Sequence, residues 1–157
     1  MTMNAEHLRR AIALAVENVR AGKGGPFGAV IVRDGVIVGE GANSVTKTLD
    51  PTAHGEVNAI RAACQRLGSF SLAGCEIYTS CEPCPMCLAA IYWARIERIY
   101  YGASQQDAAA VGFDDACLYD EFRREPQERI IAAVQLLPEE SLEPFATWRT
   151  LPGRVEY

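Results

Sequence analysis

The sequence has no run of lysine or arginine, and its 15 basic residues against 20 acidic ones leave a net charge of −5. The lack of a basic stripe to follow a phosphate backbone argues against duplex DNA or a large structured RNA as partner, and the balance favours a small neutral ligand. No apolar run approaches the roughly 20 residues that cross a bilayer, so no membrane partner is expected. Met1-Thr2-Met3-Asn4-Ala5-Glu6-His7 is polar and does not read as a secretory leader. Internal repeats, low-complexity tracts and linkers are also missing. What is present is an ordinary globular composition, 49% hydrophobic and 22% charged over 157 residues. That length fits one domain, 1–157, able to bury a core without covalent staples. The six cysteines are then expected in a reducing cytoplasm, where clustered thiols bind metal more often than they pair.

Apolar residues at Leu8, Ile12, Ala15, Val16 and Val19 predict a helix from Glu6 to Ala21. Phe27–Arg33 and Val36–Gly41 read as antiparallel strands joined at Asp34-Gly35, a dipeptide suited to a two-residue hairpin turn. After a polar loop, Asn43–Thr52, a helix is predicted over Ala53–Leu67, ended by Gly68. A buried strand over Cys75–Thr79 follows. Pro85 suits the first turn of the next helix, which runs to Ala94. Strand Arg98–Tyr101, a brief helix Asp107–Ala110, a turn at Gly112–Asp115, a fifth strand Arg129–Leu137 and a helix Leu142–Thr150 complete the chain. This order predicts a layered α/β domain on a mixed sheet of about five strands, with helix-joined strands parallel. Its ligand crevice should lie at the carboxyl ends of those strands.

Two stretches carry the chemistry. Pro51-Thr52-Ala53-His54-Gly55-Glu56 supplies an imidazole and a carboxylate two residues apart, and Cys81-Glu82-Pro83-Cys84-Pro85-Met86-Cys87 supplies a Pro-Cys-x-x-Cys. H-x-E followed by P-C-x-x-C is the signature of zinc-dependent nucleobase deaminases. Cys84 and Cys87, three apart at a helix start, project from one face, and the helix terminus favours the thiolate that zinc needs. With His54 they make three ligands for one Zn2+ per chain, leaving the fourth position for water as catalytic sites do. Cys81 is the competing fourth ligand of a closed structural site, which would leave the acidic residue beside the histidine without a role. Glu56 is either a solvated helix residue or the group that takes a proton from activated water and passes protons to the leaving amine. Cys64, Cys75 and Cys117 read as core fillers.

These two stretches, with Gly24-Gly25-Pro26-Phe27-Gly28-Ala29-Val30, Ile91-Tyr92-Trp93-Ala94-Arg95, Gly112-Phe113-Asp114-Asp115 and Pro144-Phe145-Ala146-Thr147-Trp148-Arg149, cover nearly the whole chain. In them the sequence resembles the bacterial guanine deaminases of the cytidine deaminase-like superfamily. The resemblance implies a three-layer α/β/α fold and hydrolytic deamination of guanine to xanthine and ammonia. It makes His54, Cys84 and Cys87 the zinc ligands and Glu56 the proton shuttle. Asp115 would assist proton transfer and bind the ring edge, Asn43 would hydrogen-bond the purine, and Phe27 and Trp93 would flank it. It further implies a homodimer in which residues 138–157 cover an active site or exchange between subunits, with Tyr157 near the substrate. From the residues alone, Asn43 also reads as a loop Asx-turn, Phe27 and Trp93 as core, and Asp115 as a cap or surface acid. Many relatives carry alanine where Gly55 stands, and the missing methyl is expected to widen the substrate slot. A guanosine or isocytosine-like deaminase, a tRNA adenosine deaminase and a non-catalytic zinc module are the rival readings.

Overall fold

Asp34 and Gly35 both adopt left-handed backbone angles, φ 50° and 77°. They close the predicted two-residue turn between β1 (Gly28–Arg33) and β2 (Val36–Ala42). The computed structural model describes residues 4–157. Before the hairpin, α1 (Ala5–Arg20) is capped by the Asn4 side chain, which accepts from the backbone N–H of Glu6. After it come α2 (Val45–Thr48), α3 (Gly55–Leu67), β3 (Cys75–Cys81), α4 (Pro85–Trp93), β4 (Arg98–Ala103) and α5 (Gln105–Ala109).

The strands form one sheet in the order β2-β1-β3-β4. β1 is antiparallel to both neighbours, whereas β3 and β4 are parallel. Strands β2 and β3, joined through α3, therefore share a direction with β1 between them, and the helix-joined strands are parallel as predicted. Alternate residues of β1 serve two cores, the period of a strand covered on both faces. Ala29 and Ile31 join Ile77, Ala59 and Ala63 of α3 and Ile91 of α4 on one face. Val30 and Val32 join Tyr78, with Leu8 and Leu14 of α1, on the other. The result is the expected three-layer α/β/α arrangement. Helix α3 seats closely on β2 because Gly41 has no side chain: a Cβ there would lie 2.3 Å from the backbone nitrogen of Ala59. Across the layers, Arg10 of α1 grips Glu40 of β2 through two 2.8 Å hydrogen bonds.

The first unit ends at Asp115, and Ala116–Tyr157 form a second. It contains α6 (Ala116–Arg123), two short 3-10 turns and α7 (Glu143–Thr150), whose first turn accommodates Pro144. None of its residues is buried. The fifth strand expected at 129–137 does not form, so the sheet has four strands among the described residues. A β-branched run becomes a strand only where a ladder partner takes up its backbone groups, and this segment enters no ladder. Its Ile130, Ile131, Val134, Leu136 and Leu137 are exposed. Helices α2 and α6 were not predicted; α2, with four residues, is too short to show a period. No helix among the described residues is long and apolar enough to cross a membrane.

Candidate active site

The loop into α3 is pinned before it reaches His54. Asp50 accepts from the backbone N–H and the hydroxyl of Thr52, at 2.8 and 2.6 Å. One turn into α3, the Asn58 amide donates to the carbonyls of Ala42 (2.8 Å) and Ala53 (3.3 Å) and to Ser44 Oγ (3.1 Å). Asn58 thereby laces the end of β2, the loop and the helix together. His54 and Cys84 are the N-cap residues of α3 and α4, and neither side chain caps its helix. Ring and thiol are left to meet at the converging helix starts.

His54 Nδ1 lies 3.5 Å from the Sγ of Cys84 and 3.5 Å from that of Cys87. The three donor atoms fall within 4.8 Å of one another. Tetrahedral zinc, with Zn–S near 2.3 Å and Zn–N near 2.0–2.1 Å, sets such N···S edges at about 3.5 Å, so the donors present fit this ion. Hydrogen bonds from the Cys87 thiol and the His54 ring, the former stronger, hold the Cys84 thiol down at about 4. Cys87 is pushed up by its bond to that thiolate and by burial. The His54 ring is raised, first by Cys84. A divalent cation would take the place of these mutual hydrogen bonds, binding the deprotonated donors. Cys81 stands outside the cluster: its Sγ faces the Ser104 carbonyl at 3.6 Å, and burial raises its thiol. The donor set has the three members of an open catalytic site and not the four of a closed one.

A cavity of about 450 Å³ lies over these ligands, lined by Phe27, Asn43, His54, Glu56, Cys84 and Asp115 among the predicted residues. Glu56 is only 5% exposed; it receives the Thr79 hydroxyl at 3.4 Å. Burial pushes its carboxyl above the usual range. Asn43 spends its side-chain oxygen on the backbone N–H groups of Gly25 (3.2 Å) and Val45 (3.3 Å). That fixes which end of the amide is which and leaves the NH₂ end as a donor. The rings of Phe27 and Phe113 meet edge to face, centroids 4.9 Å apart at 89°. Asp115 accepts from Gln105 Nε2 at 2.6 Å.

Gly55 and Trp93 are not among the residues that line the cavity. A Cβ on Gly55 would meet the Phe27 carbonyl oxygen at 3.1 Å and Gly28 Cα at 3.3 Å. The absence of a methyl at Gly55 thus also serves the packing of α3 on the start of β1. Trp93 ends α4, 63% exposed, with the Arg95 guanidinium 5.8 Å from its ring centroid, and is not among the cavity-lining residues. Tyr157 is exposed and belongs to the second unit. The sequence reading assigned no role to Glu82, Gln105 or Phe113, which also line the cavity. Glu82 sits inside the cysteine motif and Phe113 inside Gly112–Asp115, so both are marked in the sequence by their neighbours. Gln105 is a polar residue opening a five-residue helix and carried no signal.

The family model for the cytidine and deoxycytidylate deaminase zinc-binding region matches residues 1–103. The guanine deaminase of Bacillus subtilis (strain 168) is 54% identical over 99% of this chain and 100% of its own length. The X-ray structure of guanine deaminase from Bacillus subtilis matches with a TM-score of 0.96 at 52% identity, covering 99% of each chain. A tRNA-specific adenosine deaminase of Agrobacterium fabrum is 46% identical, but over 55% of this chain and 57% of its own length. The stretch matched by the family model includes all three metal donors and Glu56, and the chain belongs to the cytidine and deoxycytidylate deaminase zinc-binding family.

Proposed function

We propose that this protein hydrolyses guanine to xanthine and ammonia. The observation that carries the reading is the extent of the similarity: it runs the full length of a guanine deaminase, while that to the tRNA-specific adenosine deaminase covers about half the chain. A net charge of −5 further disfavours an RNA stem as substrate. His54, Cys84 and Cys87 are the residues to hold zinc, which when bound supplies Lewis-acid activation of a water. Glu56, buried and with a raised pKa, takes a proton from the attacking water and delivers it to the amine as the bond between C2 and the exocyclic nitrogen breaks. The water oxygen remains on C2, and ammonia leaves. Asn43 offers its amide N–H groups to a ring acceptor, and Asp115 accepts from a ring N–H and assists the proton transfer. Phe27 and Phe113 form an apolar wall against the flat base. Polar groups left unpaired by the wrong base give such a pocket its discrimination.

The assembly we assign is a homodimer with exchanged C-terminal segments. Ala116–Tyr157 bury none of their own residues yet display Ile130, Ile131, Phe145 and Trp148. An open groove of about 570 Å³ runs along α7 past Pro144, Trp148 and Leu151. A second copy of this chain is the occupant that covers such a surface in both subunits at once. In that dimer Trp93 is assigned to flank the purine, and Tyr157, on the terminal segment, to lie near it as part of a lid. Six free thiols, with no disulfide among the described residues, support a cytoplasmic location.

Ammonia release from a panel of guanine, guanosine, isocytosine, adenine, cytosine and a tRNA anticodon stem tests the reading. Guanine should be the best substrate, with adenine and cytosine poor. Activity on the stem with none on free guanine overturns it.

A further inference from the structure

Asp115 reaches the cavity from the end of a loop, Gly112–Asp115, that follows α5. Gly112 turns this loop in the left-handed region, φ 93°, and the Phe113 N–H returns to the Ala108 carbonyl at 3.0 Å. Nothing in that backbone points the Asp115 carboxylate at a base, and the same cavity is lined by three further carboxylates, Glu56, Glu82 and Asp114. Like charges sharing so small a space push one another apart unless each has its own donor.

Gln105 is that donor for Asp115, at 2.6 Å, a short N–H···O contact. Its own position is fixed from two sides. The Gln105 backbone N–H donates to Glu82 Oε2 at 3.0 Å. Ser104, immediately before it, shares a reciprocal cap with Asp107 that sets the first turn of α5. One residue therefore ties the carboxylate of Glu82, beside the metal ligands, to that of Asp115 across the cavity. Since a carboxylate repels the amide oxygen, Nε2 must face Asp115, and the amide has a single orientation.

We infer that Gln105 is a positioning residue for the reaction: its side-chain amide holds the Asp115 carboxylate aimed into the substrate cavity, while Glu82 holds Gln105. The inference rests on Asp115 touching the purine, as assigned above. Gln105 itself touches no reacting atom; it acts through Asp115.

A double-mutant cycle on the zinc-loaded enzyme separates this role from a merely structural one. Gln105→Met keeps length and bulk but has no donor. It should lower kcat/KM for guanine about tenfold or more, the factor carried by a hydrogen bond to a charged group. Zinc content and thermal midpoint should stay near those of the wild type. Gln105→Glu, equally long but accepting only, should be worse than Gln105→Met, because it sets a charge against Asp115. In an Asp115→Ala background the Gln105→Met effect should vanish. An undiminished effect in that background, or a Gln105→Glu enzyme as active as the wild type, overturns the inference. If Asp115→Ala lowers turnover below detection, the order of the two Gln105 variants decides. If Asp115→Ala turns over guanine like the wild type, the assignment of Asp115 has failed first, a result distinct from a crippled Asp115→Ala beside an unaffected Gln105→Met.

Discussion

The two units of this chain solve opposite problems with similar residues. In the first, Ala29 and Ile31 face one helix layer and Val30 and Val32 the other, so each apolar side chain of β1 finds a neighbour within its own unit. In the second, Ile130, Ile131, Val134, Phe145 and Trp148 are just as apolar, yet none is buried. Apolar burial contributes about 25 cal/mol per Å², so a unit with no fully buried residue draws less on the dominant stabilising term than one with a closed core. Helix propensity alone leaves a segment as short as α7 marginal. The first unit closes a core of its own; the second leaves its apolar side chains at least partly exposed.

Removing the metal should divide the two units most sharply. Cys84→Ser is expected to abolish zinc retention and guanine turnover and to lower soluble yield, because both helix starts converge on that ion. Metal analysis after gel filtration checks it. A variant that keeps one zinc per chain would show that the first unit does not hold the metal as described.

The next effect belongs to the second unit. Deleting residues 154–157 should raise KM or lower kcat for guanine and leave zinc content and thermal midpoint nearly unchanged, since a closing segment excludes water without supporting the core. If the segment is exchanged, mixing the truncated chain with full-length Glu56→Gln should raise turnover above the sum of the two measured separately. Wild-type kinetics in the truncated enzyme would reduce the tail to an ordinary terminus.

The smallest effect lies at the Arg10–Glu40 pair. The hydrogen bond from Arg10 holds the Glu40 carboxyl below its ordinary value. A depressed folded pKa means that the stabilisation is present above the unfolded value, near 4.5, and is lost as pH falls through the folded one. Both side chains are more than a third exposed, 38% and 35%, so Arg10→Met should cost less than about 1 kcal/mol at pH 7. Denaturant melts at pH 7 and pH 3 check this: the difference from wild type should shrink at the lower pH. A larger cost at pH 3 would reverse the sign.

Much of the first unit was legible because its signals are local. Asp34-Gly35 permits two positive φ angles in succession, Pro85 suits a first turn, and the alternation in β1 marks both faces. The metal donors were legible because spacing at two helix starts constrains where side chains point. Strand 129–137 misled because an apolar β-branched run specifies a strand only together with a partner, which no single segment encodes. Gln105 and Asn58 escaped for a related reason: each acts through hydrogen bonds to residues 10 to 23 or 5 to 16 positions away, and an amide carries no periodicity. The contact of Gly55 with the Phe27–Gly28 backbone was likewise not legible, because its neighbour in space lies far off in sequence.

The most direct test is Glu56→Gln, assayed for bound zinc and for xanthine formation on the same preparation. The amide preserves size and the contact with Thr79 but cannot take a proton from water. Zinc at the wild-type ratio with turnover lowered about 10²–10⁴-fold is the predicted result. A zinc-loaded Glu56→Gln enzyme within a factor of about three of wild type, far short of what a general acid–base group contributes, would contradict it.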